Sequence, residues 1–495
     1  MCNMTENKSN PRKQLSLLAL VMLIVGSVIG AGVFNMINEQ AIGSSLVGII
    51  GAWIIVAMGV GALVYCFYSL SRKRPDIDAG VYAYAEKGFG RFMGFQSAWG
   101  YWTSSWISNV AFATLLMSAI GYFIPIFHGG QNLASVIGAS VILWVTTFLA
   151  MRGAKSGAFA NAVVTAAKLI PIVIFLVCVI IAFKFGIFNS DIWAGVLVDG
   201  RLDFAKLLSQ IGSALNNGGL LFVFIGIEGA VIYSARARSR KDVSRSTAIS
   251  FVAVLILYFA MSMFSLGVMD APNLAKLSQP GMASLLSQII GPVGAFIVNL
   301  GIIISVAGAW LAWTMYCGEL PMEAAKNGTF PRIFAKINSR GAPSSALLIT
   351  AICTEIFIVS WLIPGLGSAW QLMLALSVGA IVPPYLFTAL FQFREALTAK
   401  YRFREKIPAL AAAILALVFM ILVTICLGFA KIIGTIILLA FGSIIFVAMR
   451  LFDSRFRIRE IAGKGEIIAV LLLGIMAFAG LIWMIYFGGF TQLLR

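Results

Sequence analysis

Long apolar runs alternate with short polar clusters along the whole chain. The runs fall at 15–37, 44–70, 92–124, 133–151, 157–185, 209–234, 246–269, 284–320, 345–363, 368–393, 407–430, 432–450 and 466–487. Each is long enough, at about 20 residues, to cross a bilayer as a helix. None shows the two-residue alternation of a membrane β-barrel. The pattern predicts an all-α polytopic membrane protein of 12–13 spans, the uncertain pair being 407–430 and 432–450, which only Lys431 separates.

The first and sixth runs are interrupted in the same way. One carries Gly26, Ser27, Val28, Ile29, Gly30, Ala31 and Gly32, the other Phe224, Ile225, Gly226, Ile227, Glu228 and Gly229. In lipid a broken helix survives only where protein or a water-filled cavity satisfies the freed backbone. Gly-interrupted spans at matching positions of two halves point to a transporter's substrate site. Close packing through small residues gives similar spacing, Gly26 and Gly30 included, so glycine alone leaves both readings open. Runs one to five (15–185) and six to ten (209–393) begin an odd number of spans apart, so the halves enter the membrane with opposite orientation. This predicts a ten-helix inverted-repeat core over 15–393, a short N-terminal segment at 1–14, and extra membrane helices at 407–487 without buried charge.

Of the 495 residues, 60% are hydrophobic and 11% charged, against about 25% charged in soluble domains. A water-soluble globule is excluded. The 36 Lys and Arg against 19 Asp and Glu give a net charge of +17, which in a soluble protein would suggest nucleic acid. Placement decides otherwise. With the N-terminus cytoplasmic, the even-numbered loops hold the clusters Arg72–Arg74, Arg236–Arg245, Lys326–Arg340, Arg394–Lys406 and Arg450–Arg459, while the other side keeps scattered cations such as Lys184 and Lys276. That asymmetry is the positive-inside rule. It predicts an inner (cytoplasmic) membrane protein whose surroundings are lipid, with no nucleic-acid partner; a homodimer stays open. Lys8, Arg12 and Lys13 ahead of Leu15 resemble the start of a signal peptide, but the run is too long and lacks a small-residue cleavage site.

The six cysteines are scattered, without CxxC spacing, and predict neither disulfides nor a metal site. The sole histidine, His128, lies in a loop, and no His, Cys or carboxylate cluster suggests catalysis. No GxxxxGK[ST] phosphate loop is present. An enzyme, a cofactor and a channel, which would show pore charges or a filter, are all disfavoured.

Charge inside the membrane is costly and marks function. Glu228 sits in the sixth-run break, where it either receives a cationic group or carries a proton; pairing that only holds helices together is the alternative. Lys168, followed by Pro171 in the fifth run, is placed to supply a fixed ammonium where another transporter binds sodium, tying that span to carbonyls of the broken first span, unless it snorkels to the interface. Glu355 in the ninth run is read as a helix-packing or lipid-boundary residue. Tyr101 and Asn109 lie two helical turns apart, on one face of the third run. Trp313 in the eighth is suited to cation–π stacking or to plain packing.

At these residues the chain resembles the amino acid–polyamine–organocation superfamily, within it the basic amino acid/polyamine antiporters, and among those the arginine/ornithine antiporter branch. The resemblance is carried by GSVIGAGVF (26–34), PDIDAGVYAYAEKGFGRFMGFQSAWGYW (75–102), FVFIGIEGA (222–230) with YSARARSRKDV (233–243), and AWTMYCGELPMEAAKNGTFPRIF (312–334). It implies a five-plus-five inverted repeat with substrate at the midplane between the broken spans. N–H groups at Ala31 and Gly32 would face the substrate carboxylate, since half-helix N-termini attract anions, with Gly30 beside them in the binding site. Carbonyls at Val28 and Ile225 would take the α-ammonium. Similarity to the arginine/agmatine antiporter places Asn109, Phe222 and Trp313 near the substrate side chain, Tyr101 in a gate, and Glu228 as the gating or pH-responsive acid. That relative has Trp where this chain has Phe222, which weakens the case for guanidinium stacking. It also lacks a lysine at the place of Lys168, whereas other superfamily members have one instead of a sodium site. The implied activity is exchange of a cationic amino acid for a related amino acid or amine, arginine for ornithine first. A proton-coupled symporter for a cationic or neutral amino acid, with Glu228 or Lys168 carrying the proton, or exchange of lysine/cadaverine, histidine/histamine, arginine/agmatine or agmatine/putrescine, are the alternatives.

Overall fold

A computed structural model describes residues 16–77, 81–152, 158–190, 192–217, 219–229, 238–363, 368–398, 401–452, 464–486 and 489–494. The 1–14 segment and the loop cations Arg236, Lys400, Arg455, Arg457 and Arg459 lie outside the described residues.

The first apolar run becomes two half-helices, α1 (Leu17–Val28) and α2 (Gly32–Glu39), bent by 51°. Ser16 caps α1 by accepting from the Ala19 N–H at 3.3 Å. Then come α3 (Leu46–Lys73), a short α4 (Val81–Phe89), α5 (Arg91–Phe123), α6 (Leu133–Met151) and α7 (Ala158–Ile181). The sixth run departs from the 209–234 expectation. Helix α8 (Phe204–Asn217) begins earlier, and by Phe222–Phe224 the chain is a 3-10 turn, so the break opens upstream of Gly226. After α9 (Arg240–Leu266), the eighth run is likewise two helices, α10 (Gly281–Ile290) and α11 (Pro292–Lys326). Gly291, with φ 74°, ends one, and Pro292 starts the next at the position where its missing N–H costs nothing. The remaining helices are α12 (Ser344–Val359), α13 (Ala369–Ala396), α14 (Phe403–Cys426), α15 (Phe429–Phe452) and α16 (Lys464–Tyr486). Among the described residues, 10 helices are long and apolar enough to cross a membrane, with the bent α1–α2 pair in addition.

The two halves meet like with like: α3 packs on α9, α5 on α11, and α6 on α12. These are the second, third and fourth spans of each half, and such pairing is what a pseudo-twofold axis in the membrane plane produces. Outer faces are apolar because lipid, not water, meets them. On α6, Ile137, Val141 and Phe148 point outward while Ala139, Leu143, Thr147 and Ala150 are buried. Ser140 on that helix donates to Glu355 Oε1 on α12 at 2.6 Å, the packing role expected of Glu355.

The C-terminal helices seat on the core through missing side chains. A Cβ on Gly59 of α3 would lie 2.1 Å from the Phe419 ring of α14, one on Gly379 of α13 would lie 2.1 Å from Thr435 Oγ1, and one on Gly442 of α15 would lie 2.6 Å from the Trp99 indole. Between apolar helices in lipid, such close contact is the main source of adhesion. The expectation of no buried charge in these helices is wrong. Arg450, at the end of α15, is buried beneath α16, its guanidinium 4.0 Å from Glu466 and 5.0 Å from the Phe446 ring centroid.

Gly59→Ala is expected to destabilise the detergent-solubilised protein by about 1–3 kcal/mol, the usual cost of overpacking. Gly61→Ala, whose Cβ would meet only the edge of Phe251 at 3.3 Å, should be close to neutral. Thermal unfolding of the two variants side by side checks this.

Candidate functional site

Breaking two helices frees backbone groups in the centre of the protein, and several of them find partners there. In the first break, Ile29 N–H still reaches Val25 O at 2.9 Å, but Gly30 N–H turns back to Val28 O at 2.9 Å, ending the α1 ladder. Lys168 Nζ on α7 donates to Gly26 O at 2.9 Å and to Ile29 O at 3.4 Å. That lysine is 3% exposed, so its ammonium ends on the broken span and not at the membrane surface. Tyr258 on α9 donates to Val28 O at 3.3 Å. In the second break, Ile225 is extended and Gly226 takes φ +104°, a conformation that requires glycine. Ser27 Oγ donates to Gly226 O at 3.3 Å, and Trp313 Nε1 on α11 donates to Ser27 O at 3.3 Å. The two breaks are thereby stitched to each other.

Between them lies a small cavity lined by Val28, Gly30, Ala31, Gly32, Phe222, Ile225 and Trp313, together with Ser27, Ser108, Phe112 and Val223. Every residue expected to contact substrate is there except Asn109. Asn109 is buried beside Ser108 but off the lining, its Oδ1 without a hydrogen-bond partner. The free space admits roughly one water. Glycine is required by closeness here as well: a Cβ on Gly32 would lie 2.8 Å from Val223, and one on Gly30 would lie 2.9 Å from Phe112. Ala31 and Gly32, at the start of α2, border this space, and their N–H groups lie ahead of the first hydrogen bond of that helix, from Phe34 N–H to Ala31 O at 3.2 Å. One wall therefore suits an anion, while the rings of Phe112, Phe222 and Trp313 suit the apolar stem of a side chain.

Glu228 is fully buried next to the second break. Tyr101 on α5 donates to its Oε1 at 2.5 Å, Tyr385 on α13 donates to its Oε2 at 2.7 Å, and Gly226 N–H reaches Oε2 at 3.2 Å. Tyr101 and Glu228, singled out separately in the sequence, thus form one unit. Tyr385 was not anticipated; its only local signal is the Pro383–Pro384 pair before it inside an apolar run. Ser108, Phe112 and Tyr258 were likewise unforeseen, being small, aromatic or hydroxylated residues with no distinguishing pattern, and Ser27 was noted only as part of the broken first run.

Comparison with known proteins agrees with this architecture. The family model described as amino acid permease matches residues 15–438. The arginine/ornithine antiporter of Pseudomonas aeruginosa is 40% identical over 383 residues, 77% of this chain and 78% of its own length. The arginine/ornithine antiporter of Latilactobacillus sakei is 37% identical, covering 79% of this chain and 80% of that protein. The arginine/agmatine antiporter of Chlamydia abortus is 34% identical over 89% of this chain and 90% of its own length. With two broken helices stitched around a central cavity, halves that pair like with like, and these relatives across most of its length, the chain is a multi-pass membrane transporter of the amino acid permease family.

Proposed function

We propose that the chain exchanges one cationic amino acid for another, arginine for ornithine, by alternating access across the cytoplasmic membrane, with its N-terminus and basic loops on the cytoplasmic side. The observation that carries this reading is the cavity between the breaks, where the start of α2 faces aromatic walls. Relatives named as arginine/ornithine antiporters supply the substrate pair. N–H groups at Ala31 and Gly32 take the substrate carboxylate, while Gly30, whose N–H is held by Val28 O, gives the ligand room beside them. The α-ammonium goes to the carbonyl of Ile225; that of Val28 is shared, because Gly30 N–H and Tyr258 already engage it. The side chain lies along Phe112, Phe222 and Trp313 toward Asn109, whose unpartnered Oδ1 is an acceptor for it. Entry of an amino acid into a space this small requires those rings to move, so loading and helix motion are coupled.

Glu228 then acts as the gating acid. Its hydrogen bonds from Tyr101 and Tyr385 tie the mobile second break to α5 and α13. Lys168 supplies a permanent cation at the junction of α1 and α2. No sodium gradient is needed, and the two amino acid gradients drive exchange.

Five outcomes test the reading. Labelled arginine should enter proteoliposomes preloaded with ornithine and not empty ones; uptake into empty vesicles driven by a proton gradient would replace exchange with symport. Glu228→Ala should abolish exchange and Tyr385→Phe should slow it about tenfold, the scale of one hydrogen bond to a charged group, while Glu355→Gln, on the outer helix pair, should be tolerated. Equal damage from Glu228→Ala and Glu355→Gln would remove Glu228 from the site. Lys168→Ala should insert normally, as judged by detergent-extracted yield, yet fail to transport.

A further inference from the structure

One buried acid has no part in the mechanism above. Glu39, the last residue of α2, is 2% exposed. Its Oε1 accepts from Gln279 Nε2 at 2.7 Å and its Oε2 from Gln371 Nε2 at 2.8 Å. Gln279 belongs to the segment leading into α10, and Gln371 to the first turn of α13. Lys431 on α15 attracts the carboxylate from beyond hydrogen-bonding range. A carboxylate closed off by neutral amides is a poor way to seal a membrane protein, since apolar residues of similar volume usually pack as well or better.

Its position supplies a reason. Glu39 follows Gly32 by seven residues, two helical turns, which puts both on one face of α2 about 10 Å apart. The Gly32 face borders the cavity. Phe222, which lines the cavity, meets Trp370 edge to face at 6.1 Å, and Trp370 adjoins Gln371 in sequence. One ring contact thus joins the cavity wall to the chain segment that holds Glu39, on the side away from the basic loops.

We infer that Glu39 is a transit site and specificity determinant for the cationic side chain of the substrate at the mouth of the pathway opposite the basic loops. The inference rests on the exchange reading above. For that mouth to open, α2, α13 and the segment before α10 must part, and the carboxylate then loses both amide donors together. An ammonium or guanidinium entering the mouth replaces them with a charge-assisted pair. A neutral amino acid offers its side chain no such exchange, so the mouth itself selects for cations.

The test is labelled-arginine uptake by the full chain in ornithine-loaded proteoliposomes, with external arginine varied. Glu39→Gln is expected to raise the KM for arginine about tenfold with the maximal rate within a factor of about two, the pattern of a lost binding contact. Glu39→Asp should restore most of the affinity. An unchanged KM in Glu39→Gln, or a fall in maximal rate at constant KM, overturns the inference and leaves Glu39 as a closure residue. If Glu39→Gln cannot be extracted folded, Gln371→Glu carries the test by adding a second carboxylate at the same level. It should lower the arginine KM, and a raised or constant KM overturns the inference. Wild type that fails to exchange arginine overturns the substrate pair instead, and the same comparison is then made with the cationic amino acid that it does exchange.

Discussion

Unpaired backbone in the middle of a membrane protein is the constraint around which this molecule is built. Interrupting α1–α2 and the sixth span strips carbonyls and N–H groups of their helical partners, where no lipid group replaces them. Four side chains from three other helices and from the first break itself meet that demand: Lys168, Tyr258, Trp313 and Ser27. The N–H groups at the start of α2 border the cavity, ahead of the first hydrogen bond of that helix. Fold and site are thus one hydrogen-bonding problem.

The other helices divide according to that problem. Helices α5 and α13 pack extensively on each other and deliver Tyr101 and Tyr385 to one carboxylate on the broken sixth span. Helices α14 and α15 clamp α3, α5 and α13 from outside through glycine-seated contacts. Packing of this kind has few alternative arrangements, so the clamped group forms a stiff frame. The half-helices are packed in the core, but at their breaks single hydrogen bonds replace the helical ladder.

Most of the fold is legible in the sequence because an apolar run of membrane length is among the strongest patterns a chain carries. The bend at Ile29–Ala31 lies inside the glycine-rich stretch that foretold it. The sixth and eighth spans were drawn as single runs because hydropathy does not see a helix end: α8 stops before Phe222, and Gly291–Pro292 divides α10 from α11 while the residues on both sides stay apolar. Residues at the breaks were found because glycine clusters and buried charge are rare in membrane. Tyr385 was missed because one tyrosine in an apolar helix is unremarkable until its partner is known. Glu39 was missed because, between Asn38 and Gln40, it looks like the polar end of a span. Arg450 passed for a flanking cation because its pairing with Glu466, sixteen residues further along the chain, does not show in the local pattern.

Lys168 carries one consequence beyond its two hydrogen bonds. A dissociable ion occupies its site to a degree set by its concentration on whichever side is open, but a lysine is attached to the chain and its local concentration is fixed by the length of its own side chain. Under the proposed exchange, the α1–α2 junction would then be occupied in every turn of the cycle, in brine or in fresh water alike. What a loosely held ion would contribute as a source of energy, the tethered ammonium would contribute only as structure, leaving the carrier's direction to the composition of the amino acid pools on either side.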